Sequence, residues 1–183
     1  MLDKWKRLLN LLPPPENPLG FKRTWQTVES ELGFSLPTDY KQFIDTYGSG
    51  CIMPSGGECG SIIIWNLRDV SDVLAWIATA TRRYNDDRQS GNELPFQGYP
   101  EPEGLLGWGT RPDGDFFNWR MMGEPDSWDC VFYHFSNAEM ILLQGKGFVD
   151  VLVDLLEHNS PLIPYPIDPD NLQPPCAYTE EVW

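Results

Sequence analysis

The chain contains 183 residues, of which 41% are hydrophobic and 13% aromatic, so it is long enough for one domain with a substantial core. Its 13 basic residues stand against 27 acidic ones, a formal net charge of -14, which disfavours binding to nucleic-acid phosphates or anionic lipid. No apolar run approaches the roughly 20 residues of a membrane span, and four cysteines without a C-x-x-C pair, with only two histidines, give little support to a zinc site or a disulfide framework.

Three helices are predicted in the first fifty residues. Apolar residues recur at helical spacing over residues 3–12, 24–32 and 37–47. Gly33 suits the left-handed position after the second helix, and Pro37 suits the first position of the third, where a missing N–H is tolerated. The N-terminal residues lack the small-residue cleavage site of a signal peptide, so we expect a cytoplasmic protein.

The rest of the chain changes to a strand pattern. Short β-branched and aromatic runs predict strands, and two apolar periodicities predict further helices. The predicted strands are residues 61–65, 105–108, 115–120, 130–135 and 140–143; the predicted helices are residues 72–84 and 148–158; residues 85–93 read as a polar loop. This order predicts a single α+β domain with helices packed around a mixed, largely antiparallel sheet.

Composition divides the chain into three regions. Residues 1–20 form an N-terminal helix and a proline linker, residues 21–160 form the main domain, and residues 161–183 form a proline-rich tail. Proline at that density favours extended structure. Because the tail also contains large apolar side chains, we expect it to pack on the domain.

The acidic excess is confined to one part of the sequence. Residues 1–50 contain six basic and six acidic residues, whereas the remainder contains seven basic and twenty-one acidic ones, which accounts for the whole net charge. Such a surface steers cationic proteins toward itself. Solubility alone explains the same charge in many proteins, so composition by itself favours that simpler interpretation.

Acidic and aromatic residues alternate within a short stretch of the second half. Tryptophan is a favoured interface anchor, and surrounding carboxylates would pair with a basic partner. About half of these aromatics are expected in the core, since an antiparallel sheet commonly buries one face. The residues predicted to bind a partner are Trp108, Asp113, Asp115, Glu124, Asp126, Trp128 and Asp129.

Motifs for chemistry are weak. Asp113 and Asp115 flank a glycine but follow a proline, which indicates a turn rather than a metal loop. His134 and His158 belong to no motif that would activate a nucleophile, and a glycine-rich loop near residue 56 lacks a phosphate-binding lysine. We therefore predict no catalytic residue, no metal and no cofactor; a carboxylate-dependent hydrolase remains an alternative, because paired acids are inevitable among 27.

The segment from residue 25 to residue 50 carries a recognisable signature. It contains a tryptophan, a helix ending in Leu-Gly, then Leu-Pro-x-Asp-Tyr-Lys and Tyr-Gly-x-Gly. The residues are Trp25, Glu29, Leu32, Gly33, Leu36, Pro37, Asp39, Tyr40, Lys41, Phe43, Tyr47, Gly48 and Gly50. This order resembles the N-terminal signature of the SUKH superfamily, the Smi/Knr-like proteins, and the similarity continues to residue 156. The N-terminal leucine helix, the glycine-rich loop and the proline-rich tail depart from it.

The resemblance implies an α+β domain whose signature residues act as scaffold. Bacterial members of the superfamily are immunity proteins that bind and neutralise a toxin, and eukaryotic relatives act in cell-wall assembly and signalling. We therefore predict a non-catalytic, monomeric immunity protein whose partner is a basic toxin such as a nuclease, with no nucleic acid or membrane bound. The alternative is a regulatory or adaptor module in cell-wall or signalling assemblies.

Overall fold

The computed structural model describes residues 2–53, 61–157, 159–162 and 177–179. The predicted glycine-rich loop, His158 and most of the proline-rich tail lie outside these residues, so the expectations about them are not addressed by the structure.

Helices and strands alternate as the sequence predicts, with two additional strands. The described residues contain five α-helices: α1 Leu2–Leu11, α2 Trp25–Leu32, α3 Thr38–Tyr47, α4 Val73–Gln89 and α5 Phe148–Leu156. They contain seven strands: β1 Gly50–Met53, β2 Ile62–Ile64, β3 Leu105–Thr110, β4 Phe116–Arg120, β5 Asp129–His134, β6 Glu139–Leu143 and β7 Ala177–Thr179. The strands form one sheet in the order β6-β5-β4-β3-β2-β1-β7. Every ladder between these strands is antiparallel, so the predicted α+β fold is confirmed.

Local signals fix the helical hairpin of α2 and α3. The hydroxyl of Thr24 accepts a hydrogen bond from the backbone N–H of Thr27 at 3.2 Å, which caps the start of α2. Gly33 ends α2 in the left-handed conformation, with φ 80°, as glycine does without steric cost. Pro37 directly precedes α3.

One face of the sheet is packed against α1, α2, α3 and α5 through aromatic side chains. Tyr40 of α3 makes edge-to-face contacts with Trp119 of β4 and Phe148 of α5, with ring centroids 5.0 Å and 5.3 Å apart. Leu8 and Leu12 in and after α1 are fully buried in this same cluster. The N-terminal helix therefore shares the core of the main domain.

The opposite face is covered by α4 and the segment that follows it. Tyr84 of α4 packs edge-on against Tyr133 of β5 at 5.2 Å and donates a hydrogen bond to the backbone carbonyl of Phe96 at 2.8 Å. Leu94, Leu105 and Val131 complete this smaller cluster.

Two predictions of local structure are wrong. Helix α4 continues to Gln89 rather than ending at Tyr84; within the added turns Asp87 accepts a hydrogen bond from the hydroxyl of Tyr133 at 2.6 Å, which holds the helix against the sheet. Strand β1 was not predicted, since a four-residue strand that begins with glycine carries too little pattern; it lies between β2 and β7.

Candidate partner-binding site

The seven residues predicted to bind a partner do not form one surface. The β3–β4 turn precedes Phe116 and the β4–β5 loop follows Arg120. Because five residues of strand span about 13 Å, Asp113 and Asp115 lie at one end of the sheet and Glu124 lies at the other. Asp126, Trp128 and Asp129 are at the same end as Glu124.

Trp108 is a core residue. Its side chain is fully buried, its ring stacks on Phe117 at 4.8 Å and it meets Phe148 edge-on at 4.8 Å. Alternation along β3 directs it toward the helices of the larger cluster. The predicted role of Trp108 as an interface anchor does not fit this placement.

Asp115 is also buried, and its carboxylate is used inside the protein. One oxygen accepts a hydrogen bond from the backbone N–H of Phe135 at 3.0 Å and lies 2.8 Å from Nδ1 of His134. The other lies 3.4 Å from the guanidinium of Arg111, which is itself only 3% exposed. A buried charge requires such partners, so Asp115 acts as an internal counter-ion, while the exposed Asp113 pairs with Arg111 from the surface at 3.2 Å.

The loop between β4 and β5 holds the remaining predicted residues. Trp128 is only 6% exposed, and its indole N–H donates to the carbonyl of Gly123 at 3.1 Å, so it fixes the loop from within. The carboxylate of Asp126 accepts hydrogen bonds from the backbone N–H and the hydroxyl of Thr38, at 2.6 and 3.0 Å, and thereby caps α3. Glu124 is exposed, and its side chain makes no hydrogen bond or ion pair with the described residues.

Three segments meet around this loop. The backbone N–H of Met121 donates to the carbonyl of Gly104 at 3.1 Å, and the ring of Phe34, from the α2–α3 connection, lies 6.0 Å from Tyr99 and 5.9 Å from Trp128. Together they present acidic side chains beside partly accessible apolar ones. We call this surface the acidic rim; it comprises Glu101, Glu103, Glu124 and Asp126 with Phe34, Tyr99, Met121 and Met122.

The members of the acidic rim that the sequence analysis missed come from separate loops. Glu101 and Glu103 are exposed, and Glu103 pairs with Arg120 at 3.0 Å. Met122 is 52% exposed. Only the pairing of β3 with β4 brings residues near 101 beside residues near 122, so a short sequence window could not have found them. Phe34 did carry a signal, because an aromatic directly after a helix-ending glycine lies in a connection.

A cleft of about 280 Å³ lies on the helical side of the same loop. Four aspartates line it, together with two lysines and the aromatic side chains of Trp5, Trp119, Trp128 and Phe148. We call it the aspartate cleft; its charged residues are Asp39, Asp126, Asp129, Asp150, Lys4 and Lys146.

The carboxylates of the aspartate cleft have structural partners. Asp39 accepts from the backbone N–H of Tyr40 at 2.8 Å and from that of Val149 at 2.9 Å, so a side chain of α3 caps the start of α5. Asp129 accepts from the N–H of Gly145 at 2.7 Å, and Asp150 forms an ion pair with Lys4.

Burial raises the pKa of Asp39 above its ordinary value, against the opposing effect of its two backbone hydrogen bonds. The negative charges of Asp150 and Asp126 raise this pKa further. Of the two lysines, Lys4 pairs with Asp150 and Lys146 pairs with Asp154, which does not line the cleft. A cationic group entering the cleft would thus meet carboxylates that are hydrogen-bonded but only partly neutralised. In the described part of the chain, no group of three His, Cys, Asp or Glu side chains is arranged to hold a metal ion.

Comparison with known proteins identifies a family. The family model described as SUKH_6, SMI1-KNR4 cell-wall, matches residues 22–144, which is about two thirds of the sequence and contains α2 to β6. No curated protein and no solved structure matches the chain. Among the described helices, none has the length and apolar character needed to cross a bilayer.

Proposed function

The chain belongs to the SUKH family of SMI1-KNR4-related proteins, and from that premise we propose that it is a non-catalytic immunity protein that binds and neutralises a cognate basic toxin. The acidic rim is the surface that we assign to this contact, with Glu101 and Glu124 as charged contacts and Met122 and Phe34 as apolar ones. The toxin would be held by occlusion, without chemical change to either protein.

Charge supports a basic partner. The chain carries a formal net charge of -14, and the whole excess lies after residue 50, where the acidic rim is built. Nuclease toxins are basic because their substrate is a polyanion. An acidic protein is steered toward such a toxin, which raises the association rate by about 10–10³, and it then covers the site that phosphate would occupy.

The observation that carries the proposal is that the rim keeps carboxylates without internal partners. Glu101 and Glu124 are exposed, and their side chains make no ion pair with the described residues. In contrast, Asp115, Asp126 and Asp129 are hydrogen-bonded within the protein. Carboxylates left facing solvent beside accessible apolar side chains can pair with a partner without losing a bond in the free protein.

The experiment is a binding titration with the toxin encoded next to this chain. Glu124→Lys reverses one rim charge, and Glu16→Lys is a matched control, because Glu16 is an exposed glutamate in the connection between α1 and α2, outside both the rim and strand β6. We expect Glu124→Lys to weaken the complex about tenfold or more and to reduce its salt dependence, since a close charge pair is worth about 1.5 kcal/mol or more. Equal affinities for the two variants would remove the rim from the interface.

The carboxylates of the aspartate cleft bear on the hydrolase alternative. Asp39, Asp126 and Asp129 each accept a hydrogen bond from a backbone N–H at a helix start or in a turn. These bonds support a structural role for the three carboxylates over acid–base chemistry. A small molecule that raised the melting temperature by binding in the cleft would favour an enzyme instead.

A regulatory or adaptor role is the second candidate, and the cell-wall description of the matching family supports it. Cell survival separates the two. An immunity protein expressed in the cytoplasm protects cells that produce the toxin, and Glu124→Lys reduces that protection; an adaptor leaves survival unchanged.

A further inference from the structure

Strand β6 forms one edge of the sheet, and we propose that it pairs with β6 of a second copy of this chain to form a two-fold antiparallel dimer. The five residues Glu139–Leu143 pair with β5 in an unbroken register, and none of the described strands pairs with the other side of β6. Such an edge presents a row of free N–H and C=O groups. It is normally protected by charged side chains, above all lysine, by a proline or by a bulge. The sequence Glu-Met-Ile-Leu-Leu has one charge, at its first residue, and none of these devices over the four residues that follow.

Two copies of β6 are complementary when they run antiparallel about Ile141. In that register Ile141 faces the partner's Ile141, and Met140 faces the partner's Leu142, so the central cross-strand pairs are apolar on both faces of the sheet. Leu142 is 38% exposed in the single chain, and Met140 and Ile141 are half-buried. Apolar cross-strand pairs of this kind each contribute about 0.2–1 kcal/mol.

A groove beside β6 can receive side chains of the added strand. It has a volume of about 180 Å³ and lies between β6 and α5, with Leu142, Leu143, Val151 and Pro161 among its lining residues. Because the groove adjoins the free edge, side chains of an added strand can enter it, and the contact then extends beyond the backbone ladder.

Charge complementarity favours a second copy as the occupant. The segment from Glu139 to Lys146 holds one acidic and one basic residue and is therefore neutral within a strongly acidic chain. Antiparallel pairing brings the Glu139 end of one strand toward the Lys146 end of the other. Lys146 is 41% exposed even though it pairs with Asp154 at 2.8 Å. Long-range repulsion between two acidic chains remains, so dimerisation strengthens as salt screens it.

The test is the mass of the full chain in sedimentation velocity, from low micromolar to millimolar concentration. An interface of one short strand is smaller than the roughly 1,600 Å² of a stable complex, so we expect a weak dimer. The mass should rise from 21.0 kDa toward twice that value, and it should rise at lower concentration in high salt.

Leu142→Lys supplies the missing edge lysine, and Leu74→Lys is its matched control, since Leu74 is an equally exposed leucine on α4, outside both β6 and the acidic rim. We expect Leu142→Lys to stay monomeric and Leu74→Lys to associate like the wild type; circular dichroism checks that each is folded, and Leu142→Glu serves the same test if the lysine variant is not. Three outcomes overturn the proposal. They are a wild type that keeps a mass of 21.0 kDa at every concentration, a Leu142→Lys variant that associates at the same concentrations as the wild type, and growth of the wild type beyond a dimer. If Leu142→Lys instead weakens toxin binding in a monomeric wild type, the edge serves the toxin and self-pairing is refuted. Because toxin binding weakens with salt whereas the dimer strengthens, failure of one proposal is distinguishable from failure of the other.

Discussion

Replacement of Tyr40 by phenylalanine isolates the hydrogen bonds of one buried hydroxyl. This hydroxyl donates to the backbone carbonyl of Trp65 and accepts from the backbone N–H of Leu67 at 3.3 Å. Tyr40 is fully buried, and burial raises its pKa, so the group is neutral throughout the physiological range. The variant keeps the ring and loses only the oxygen.

The expected loss of stability follows from the two backbone groups left behind. A buried donor or acceptor without a partner costs about 1–3 kcal/mol. The bond from Leu67 is long, which places its share near the low end of that range. We therefore expect the free energy of unfolding to fall by about 2–4 kcal/mol. Lost packing adds nothing to this fall, because the ring contacts with Trp119 and Phe148 are unchanged.

Urea unfolding followed by tryptophan fluorescence measures this difference, provided that the slope with denaturant is the same in both proteins. Tyr99→Phe is the matched control: Tyr99 is half-buried, and its hydroxyl makes no hydrogen bond with the described residues. We expect that variant to stay within about 0.5 kcal/mol of the wild type. A loss in Tyr40→Phe no larger than that in Tyr99→Phe would refute the assignment of the hydroxyl as the link between α3 and the segment after β2.

Three further predictions concern stability. The pKa of Asp39 is raised in the folded protein, so its contribution to the free energy of unfolding is greatest at acid pH and is lost as the pH rises from the ordinary value of 3.8 through the folded-state pKa. Urea unfolding measured across this pH range should show a smaller decline of that free energy in Asp39→Asn than in the wild type, and an equal decline would contradict the prediction. Asp115→Ala removes the buried carboxylate beside the guanidinium of Arg111 and the acceptor for the backbone N–H of Phe135, and it should cost about 3–5 kcal/mol. Asp113→Ala removes only an exposed partner of that guanidinium and should cost about 1 kcal/mol or less; equal losses would contradict the structural role of the buried carboxylate. In Gly33→Ala the added methyl group would meet no atom within 4 Å, yet the backbone at Gly33 has φ 80°. The free energy of unfolding should therefore fall by about 1–2 kcal/mol from backbone strain alone, and an unchanged melting temperature would exclude such strain.

Features that depend on neighbouring residues could be predicted from the sequence. The helix that ends at Gly33 is confirmed with its left-handed glycine, and the helix predicted from Pro37 begins one residue later, at Thr38, with Pro37 as its N-cap residue. Capping and apolar spacing act within a few residues. The central strands were likewise found, because each is a short β-branched or aromatic run bounded by turn residues.

Features that depend on distant residues could not be predicted. An antiparallel sheet commonly buries one face, but β3 is buried on both faces because α4 covers the second one, so Trp108 could be read as an anchor. Asp39 belongs to the recognised signature, but its role as the cap of α5 depends on Val149, which is 110 positions away. The partners of Asp115 at His134 and Phe135 are similarly remote.

The cap that Asp39 provides for α5 has a consequence for synthesis of the chain on the ribosome. Helices α1 and α3 emerge early, but the side chains that cover them belong to α5, which is translated more than a hundred residues later. Until then, the apolar surfaces of the first fifty residues are open to chaperones and to other nascent chains. Native closure of this core therefore waits until α5 has left the ribosome.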